Sequence, residues 1–360
     1  MPELTLRQLL EEMVARGASD LHISAGARPA LRIRGSIALT ELEELTPDKC
    51  CSLAYTVLSD EQRKTFEATK EFDFSFSVKG LSRFRANVFM QRGVVTMSIR
   101  RIPYDILLPG QLGLPDIVRM LTSRRKGLVL VTGPSGSGKS STLASMIDEI
   151  NTAREGHILT IEDPIEYIHH HKQCLVSQRE IGADTASFPT ALKHALHEDA
   201  DVVLISEMRD PKTIEAALTV VETGHLVLAS MDTRSAYDTV TRIIDMFPEA
   251  QQKQTTTRLA FALEGVITQQ LIPHSSGTGR ILAAEILVCT PAIKSVMREG
   301  KFHQIYSLMQ AGKKYGDQTM NQSLLQLLLA KHIFNDDAFA CSPDPTELEG
   351  MLGKVAAPVV

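Results

Sequence analysis

The stretch GPSGSGKS, residues 133–140, constrains this chain more than any other part of its sequence. It matches G-x-x-x-x-G-K-[ST] in full. An apolar run, GLVLVT, leads into it, and SSTLASMIDEI follows with Leu143, Met146, Ile147 and Ile150 at helical spacing. A strand, a glycine loop and a helix in that order form a phosphate-binding P-loop. Gly133, Gly136 and Gly138 allow the tight turn whose backbone N–H groups face a polyanion, and Lys139 can reach the β- and γ-phosphates. Ser140 carries the hydroxyl that suits Mg²⁺. A glycine-rich turn with no ligand is the competing reading, and the flanking strand and helix argue against it.

The rest of the chain divides around this motif. At 360 residues, 43% hydrophobic, it is long enough for two packed domains. Residues 4–16 carry Leu6, Leu9, Leu10 and Met13 on one helical face, with Gly17 as the stop. DLHIS, ALRIRG, FDFSFSV and RFRANVFM then alternate apolar and polar residues between Gly, Pro and Lys-Gly turns, which predicts a small α+β domain over 1–103. PYDILLPGQLGLP reads as an interdomain linker, residues 104–125. From 126 to 290 the strands become continuous apolar runs, GLVLVT, HILTIE, DVVLIS, HLVLAS and ILAAEIL, several of them separated by helical patterns. Such runs belong to a mostly parallel α/β sheet covered on both faces. Residues 291–360 read as helical.

Composition removes some functions. A net charge of −5, with no basic-aromatic stripe, gives no footprint for nucleic acid. No apolar run approaches the length of a membrane span, and MPELTLRQLLEE is not a signal peptide. A cytoplasmic location, free or peripheral on a membrane machine, is therefore expected. The five cysteines form no C-x-x-C pair, so neither zinc nor a disulfide framework is expected.

Two further strands end in acids. TIEDPIEY delivers Glu162, Asp163 and Glu166, and DVVLISEMRD delivers Glu207 after four apolar residues. Phosphoryl transfer to water uses such carboxylates to orient the water and to hold Mg²⁺. For TIEDPIEY, an acidic helix N-terminus explains the residues equally well. His169, His170 and His171 read as a solvated turn rather than a metal site, because three adjacent side chains cannot converge. Arg83, Arg85, Arg92, Arg100 and Arg101 crowd the first domain. They form either a basic strand face or a source of arginine fingers for a neighbouring subunit.

Taken together, SDLHIS, SRFRANVF, GPSGSGKSS, TIEDPIEY, LISEMRD and ETGHLVLAS resemble the type IV pilus retraction ATPases, the PilT-type branch of the secretion ATPase superfamily, from about residue 5 to about residue 350. The resemblance implies a PAS-like N-terminal domain, a RecA-like P-loop NTPase domain and a C-terminal helical segment. It implies a homohexameric ring that uses ATP and Mg²⁺ at the inner-membrane base of a pilus, against a membrane platform protein and alongside a paralogous retraction ATPase. By motif, Gly133, Pro134, Ser135, Gly136, Ser137, Gly138, Lys139, Ser140 and Ser141 match the nucleotide-binding loop. Glu166 matches the catalytic glutamate of the Asp box, Glu207 the Walker B acid and His225 the first histidine of the His box. Arg83, Arg85, Arg92 and Arg100 match the region that brings charge to the nucleotide.

The chain departs from the family pattern at a few positions. Asp232, in GHLVLASMDTRS, stands where the second histidine of the His box is usual; His197 replaces an arginine, and Ser206 a glycine. If Asp232 and His197 face the phosphates, both weaken stabilisation of developing negative charge, and turnover is slow. If Asp232 instead points away or pairs with Arg234, it costs little. Two functions are thus expected from one fold: a retraction motor with reduced turnover, or a weakly hydrolytic ring subunit that regulates a paralogous motor.

Overall fold

A computed structural model describes residues 4–33, 35–102 and 106–356 of the chain. The expected domain boundary at 103–104, Arg34 of ALRIRG, the first three residues of the N-terminal stretch and the last four of the C-terminal segment run outside the described residues. The chain divides into two compact units, Met1–Asp105 with Glu166–Ile168, and Ile106–Ile165 with His169–Val360.

The first unit holds six strands: β1 (Asp20–Ile23), β2 (Ala30–Ile33), β3 (Ser36–Leu39), β4 (Glu71–Val78), β5 (Ser82–Gln91) and β6 (Val94–Ile102). They form one antiparallel sheet in the order β3-β2-β1-β6-β5-β4. Alternation sends Leu21, Phe84, Ala86, Val88, Met97 and Ile99 into a core closed by the helix Leu6–Ala15, whose Leu6, Leu9, Leu10 and Met13 are buried. Thr5 starts that helix with a capping box shared with Gln8. The α+β reading of this segment holds; β3 and the helices Pro47–Tyr55 and Asp60–Thr69 are additions to it.

The second unit holds β7 (Gly127–Thr132), β8 (Gly156–Glu162), β9 (Cys174–Glu180), β10 (Val202–Ile205), β11 (Leu226–Met231), β12 (Leu263–Pro273) and β13 (Arg280–Val288). Their order is β13-β12-β7-β11-β10-β8-β9, parallel throughout except for the β12–β13 hairpin. Both faces are covered. Leu128, Leu130, Val203, Ile205, Val227 and Ala229 pack on one side, and Val129, Val131, Val202, Leu204, Leu226 and Leu228 on the other. This double burial is why the strands read as unbroken apolar runs.

The segment read as a linker behaves otherwise. Leu114, Val118 and Leu121, spaced by four and three, are buried in the core of the second unit, and residues Ile117–Thr122 are helical. The density of proline and glycine on either side conceals this short helix in the sequence. The C-terminal helices also belong to the second unit, where Met320, Leu324, Ile333, Ala338 and Leu348 pack on Ile272 and Ala283 of the hairpin.

Candidate nucleotide site

In a parallel sheet of this kind the ligand crevice lies beyond the carboxyl ends of the strands. Loop 133–138 leaves β7 there, and the helix Lys139–Ala153 begins at once. Gly133 has φ +141, and a Cβ on it would lie 2.4 Å from the Gln269 carbonyl oxygen and 2.5 Å from Ser137 Oγ. Only glycine fits. Gly136 and Gly138 also have positive φ, +79 and +94, in more open surroundings. Ser137 is 3% exposed, and its Oγ is buried with no hydrogen-bond partner, inside a loop built to meet oxygen-rich ligands. Behind the loop, the Gln269 side-chain amide donates to Thr142 Oγ1 at 2.7 Å, tying β12 to the first turns of the helix.

Lys139 Nζ spends its donors on three acceptors: the Gly133 carbonyl at 2.8 Å, the Pro134 carbonyl at 3.2 Å and Asp232 Oδ1 at 2.5 Å. The lysine side chain is 13% exposed and the aspartate 53%. Asp232 therefore stands at the P-loop, and its partner is Lys139 rather than Arg234.

The acids come from the adjacent strand ends. Glu207, just past β10, accepts from Arg209 at 2.6 Å, and the Arg209 guanidinium also feels Asp163 and Asp232. The hydrogen bond from Arg209 to Glu207, first among these influences, holds the guanidinium above its ordinary pKa. Glu162 closes β8 and is buried, accepting from Thr160 Oγ1 at 2.6 Å and the Gln178 amide at 3.1 Å. Asp163 and Glu166 are exposed on the loop that follows. No helix begins there, so the acidic helix N-terminus does not account for TIEDPIEY. Ser206 Oγ accepts the Asp163 N–H at 3.1 Å, and the Ser206 carbonyl accepts from Ser230 Oγ. The residue that departs from the family's glycine thus pins the start of the Asp-box loop to β10 and β11.

Two residues expected at the chemistry lie elsewhere in this unit. His225 precedes β11, and its carbonyl accepts from the N–H of Gly127, the first residue of β7. Its ring Nδ1 lies 3.0 Å from both Thr223 Oγ1 and the Val220 carbonyl. Asp232 follows the other end of the same strand, so His225 is a strand length, about 20 Å, from the P-loop edge. His197 occupies the turn before β10. There Asp201 N–H donates to the His157 carbonyl, and His157 Nδ1 lies 3.0 Å from the Glu198 carbonyl, at the start of β8. That turn is at the amino ends of the strands, so the expectation that His197 lies beside the phosphates of its own chain fails.

In the first unit, Arg83 and Arg85 lie on β5, Arg100 on β6 and Arg92 in the turn between them, at φ +52. Arg100 Nε donates to Asp20 Oδ1 at 2.7 Å, and Arg85 sits directly opposite Arg100 in the ladder. Burial opposes ionisation of Asp20, yet hydrogen bonds from Arg100 and Ser19 hold its carboxyl below the usual range. Arg100 therefore has a carboxylate of its own. The histidine tract is not wholly solvated: His169 is 8% exposed, and burial pushes its pKa down to about 4. Among the described residues no cluster of His, Cys, Asp and Glu could hold a metal by itself. Sequence reasoning missed Arg209, although its place two residues after Glu207 on a non-helical stretch would have marked it.

The family model for "Type II/IV secretion system protein" matches residues 2–333. The chain is 44% identical to the type IV pilus retraction ATPase PilT of Pseudomonas aeruginosa, over 93% of this chain and 97% of that protein. A solved structure of the pilus retraction motor PilT with bound ADP superposes with a TM-score of 0.91 at 50% identity, covering 97% of this chain and all of that one. This chain belongs to the type II/IV secretion system family, in its PilT-type retraction ATPase branch. It is also 38% identical to the type IV pilus ATPase PilU of the same organism, over 97% of this chain and 91% of that protein. The RecA-like sheet with a PAS-like unit ahead of it is the fold of that branch, and ATP hydrolysis is its chemistry. No helix among the described residues is long and apolar enough to cross a membrane.

Proposed function

We propose that this chain is the ATP-hydrolysing subunit of a hexameric ring that powers type IV pilus retraction, and so twitching motility, from the cytoplasmic side of the inner membrane against a platform protein at the pilus base. One observation carries the reading: the glycine loop 133–138, Lys139 and the carboxylates of Asp163 and Glu207 gather at one sheet edge of a chain similar to PilT along almost its whole length. Loop residues 133–138, with Ser140 and Ser141 at the head of the helix, bind the phosphates through backbone N–H groups. Lys139 supplies the cation. Ser140, Asp163 and Glu207 offer the hard oxygen donors that suit Mg²⁺, and the ion, when bound, neutralises charge on the β- and γ-phosphate oxygens. Glu166, exposed beyond β8, orients the attacking water. Arg83 and Arg85 on β5, Arg92 in the turn after it and Arg100 on β6 are offered to the nucleotide of a neighbouring copy, Arg100 keeping Asp20 as a carboxylate partner. His225 acts in the ring at some distance from the P-loop of its own subunit.

The pairing of Lys139 with Asp232 favours a second reading, a slow ring subunit that modulates a paralogous motor. Steady-state phosphate release from the full chain with Mg²⁺ and ATP, measured beside Glu207→Ala, separates the two. A motor exceeds the variant by ~10²-fold or more. Equal rates would leave only the regulatory subunit. Light scattering at micromolar concentration with Mg-ATP should show six copies, and a monomer there would remove the ring.

A further inference from the structure

Asp232 does more than sit near the site: it holds the charge that the nucleotide needs. A lysine ammonium has three N–H donors, and here two go to carbonyls of the loop itself and the third to this carboxylate. The carbonyls are uncharged and belong to the P-loop, so they travel with Lys139. Asp232 comes from just past the end of β11, the strand paired with β7, and is the only anion among the three. A phosphate that reaches Lys139 takes one of these three positions, and only the one held by Asp232 carries a competing charge.

We propose that Asp232 is a specificity-determining residue that discriminates between nucleoside triphosphate and diphosphate, by occupying on Lys139 the position of the terminal phosphate. The inference rests on reading the P-loop as the nucleotide site. A diphosphate lies along the loop N–H groups, its β-phosphate takes from Lys139 a donor now given to a loop carbonyl, and Asp232 stays on the ammonium. A triphosphate places a further anion where the carboxylate stands, so Asp232 must withdraw, and the cost falls on the triphosphate alone. The surrounding charges do not relieve that cost without a second change. Besides Lys139, Arg209 feels the charge of Asp232, and it is already bonded to Glu207. After hydrolysis and loss of phosphate, the carboxylate returns to Lys139, which favours the diphosphate state over reloading. A neutral side chain at this position would bind the triphosphate more tightly at once.

Calorimetry on the full chain tests this, with ADP and with a non-hydrolysable β,γ-imido analogue of ATP, both with Mg²⁺. Asp232→Asn keeps the shape and removes the charge, and Asp232 is exposed enough that the fold should not change. Asp232→Glu keeps the charge. The expected result is that Asp232→Asn tightens the triphosphate analogue by ~10-fold or more and ADP by less than ~3-fold, while Asp232→Glu stays near the parent. An unchanged or weaker triphosphate affinity in Asp232→Asn would overturn the inference, and so would equal tightening of both nucleotides. In those cases the parent still binds nucleotide and the P-loop reading stands. Absence of binding in the parent and both variants would overturn the P-loop reading and the inference together.

Discussion

A methyl group added at Gly133 should damage the site far more than one added three residues later. At Gly133 the backbone sits at φ +141, where side chains are rarely tolerated, and the new Cβ would lie 2.4 Å from the Gln269 carbonyl oxygen and 2.5 Å from Ser137 Oγ. Neither neighbour is free to retreat. The Gln269 backbone is part of β12, whose ladder runs on to β7, and Ser137 is buried. Backbone strain of ~1–3 kcal/mol adds to overpacking of ~1–3 kcal/mol, or about 2–6 kcal/mol in all. At Gly136 the φ is +79 and nothing lies within 4 Å of the new Cβ, so only the left-handed penalty of ~1–2 kcal/mol applies. If the loop relieves the strain by opening, the loss appears as nucleotide affinity: ~30-fold or more for Gly133→Ala, about 5- to 30-fold for Gly136→Ala. If it does not open, the loss appears in the urea midpoint. Calorimetry with ADP and urea denaturation on both variants capture either route. Gly133→Ala with affinity and midpoint both within error of the parent would refute this account of the loop, and so would a Gly136→Ala defect as large as that of Gly133→Ala.

Other expectations follow from single side chains. The neutral form of His169 is the one the folded protein keeps, with a pKa near 4 against 6.5 when unfolded, so the unfolded chain takes up the proton first as pH falls and stability declines between those values. From about pH 7 to about pH 5 the parent should lose about 2 kcal/mol more than His169→Gln in urea unfolding, and equal losses would show that this histidine is not the titrating group. Ser206→Gly, which restores the residue usual in the family, removes the acceptor of the Asp163 N–H and frees the backbone. It should cost about 1–2 kcal/mol by the same measurement, and a variant as stable as the parent would show that the clamp is inconsequential.

Much of this molecule was legible beforehand because its signals are local. Strand, glycine loop and helix are contiguous, so GLVLVT-GPSGSGKS fixed the nucleotide edge, and burial on both faces wrote the parallel strands as apolar runs. Periodicity and the Gly17 stop likewise placed the first helix, observed as Leu6–Ala15. Segments whose fate depends on distant partners were misread. The apparent linker became a helix because its Leu114, Val118 and Leu121 find the core of the second unit, and β9 and β12 took their places only through neighbours in the sheet.

The two ends of β11 state the limit most clearly. The sequence singled out both His225 and Asp232, from one motif, as residues of the same site. An extended strand separates its ends by ~3.3 Å per residue, and parallel pairing with β7 puts the P-loop at only one of them. So Asp232 meets Lys139, a residue 93 positions earlier, while His225 caps the opposite edge beside Gly127. The motif, set beside the family pattern it resembles, could name the aspartate as unusual. Its hold on the P-loop cation exists only where the tertiary fold sets β11 against β7, because a charge pair depends on separation in space and the chain carries no record of that distance.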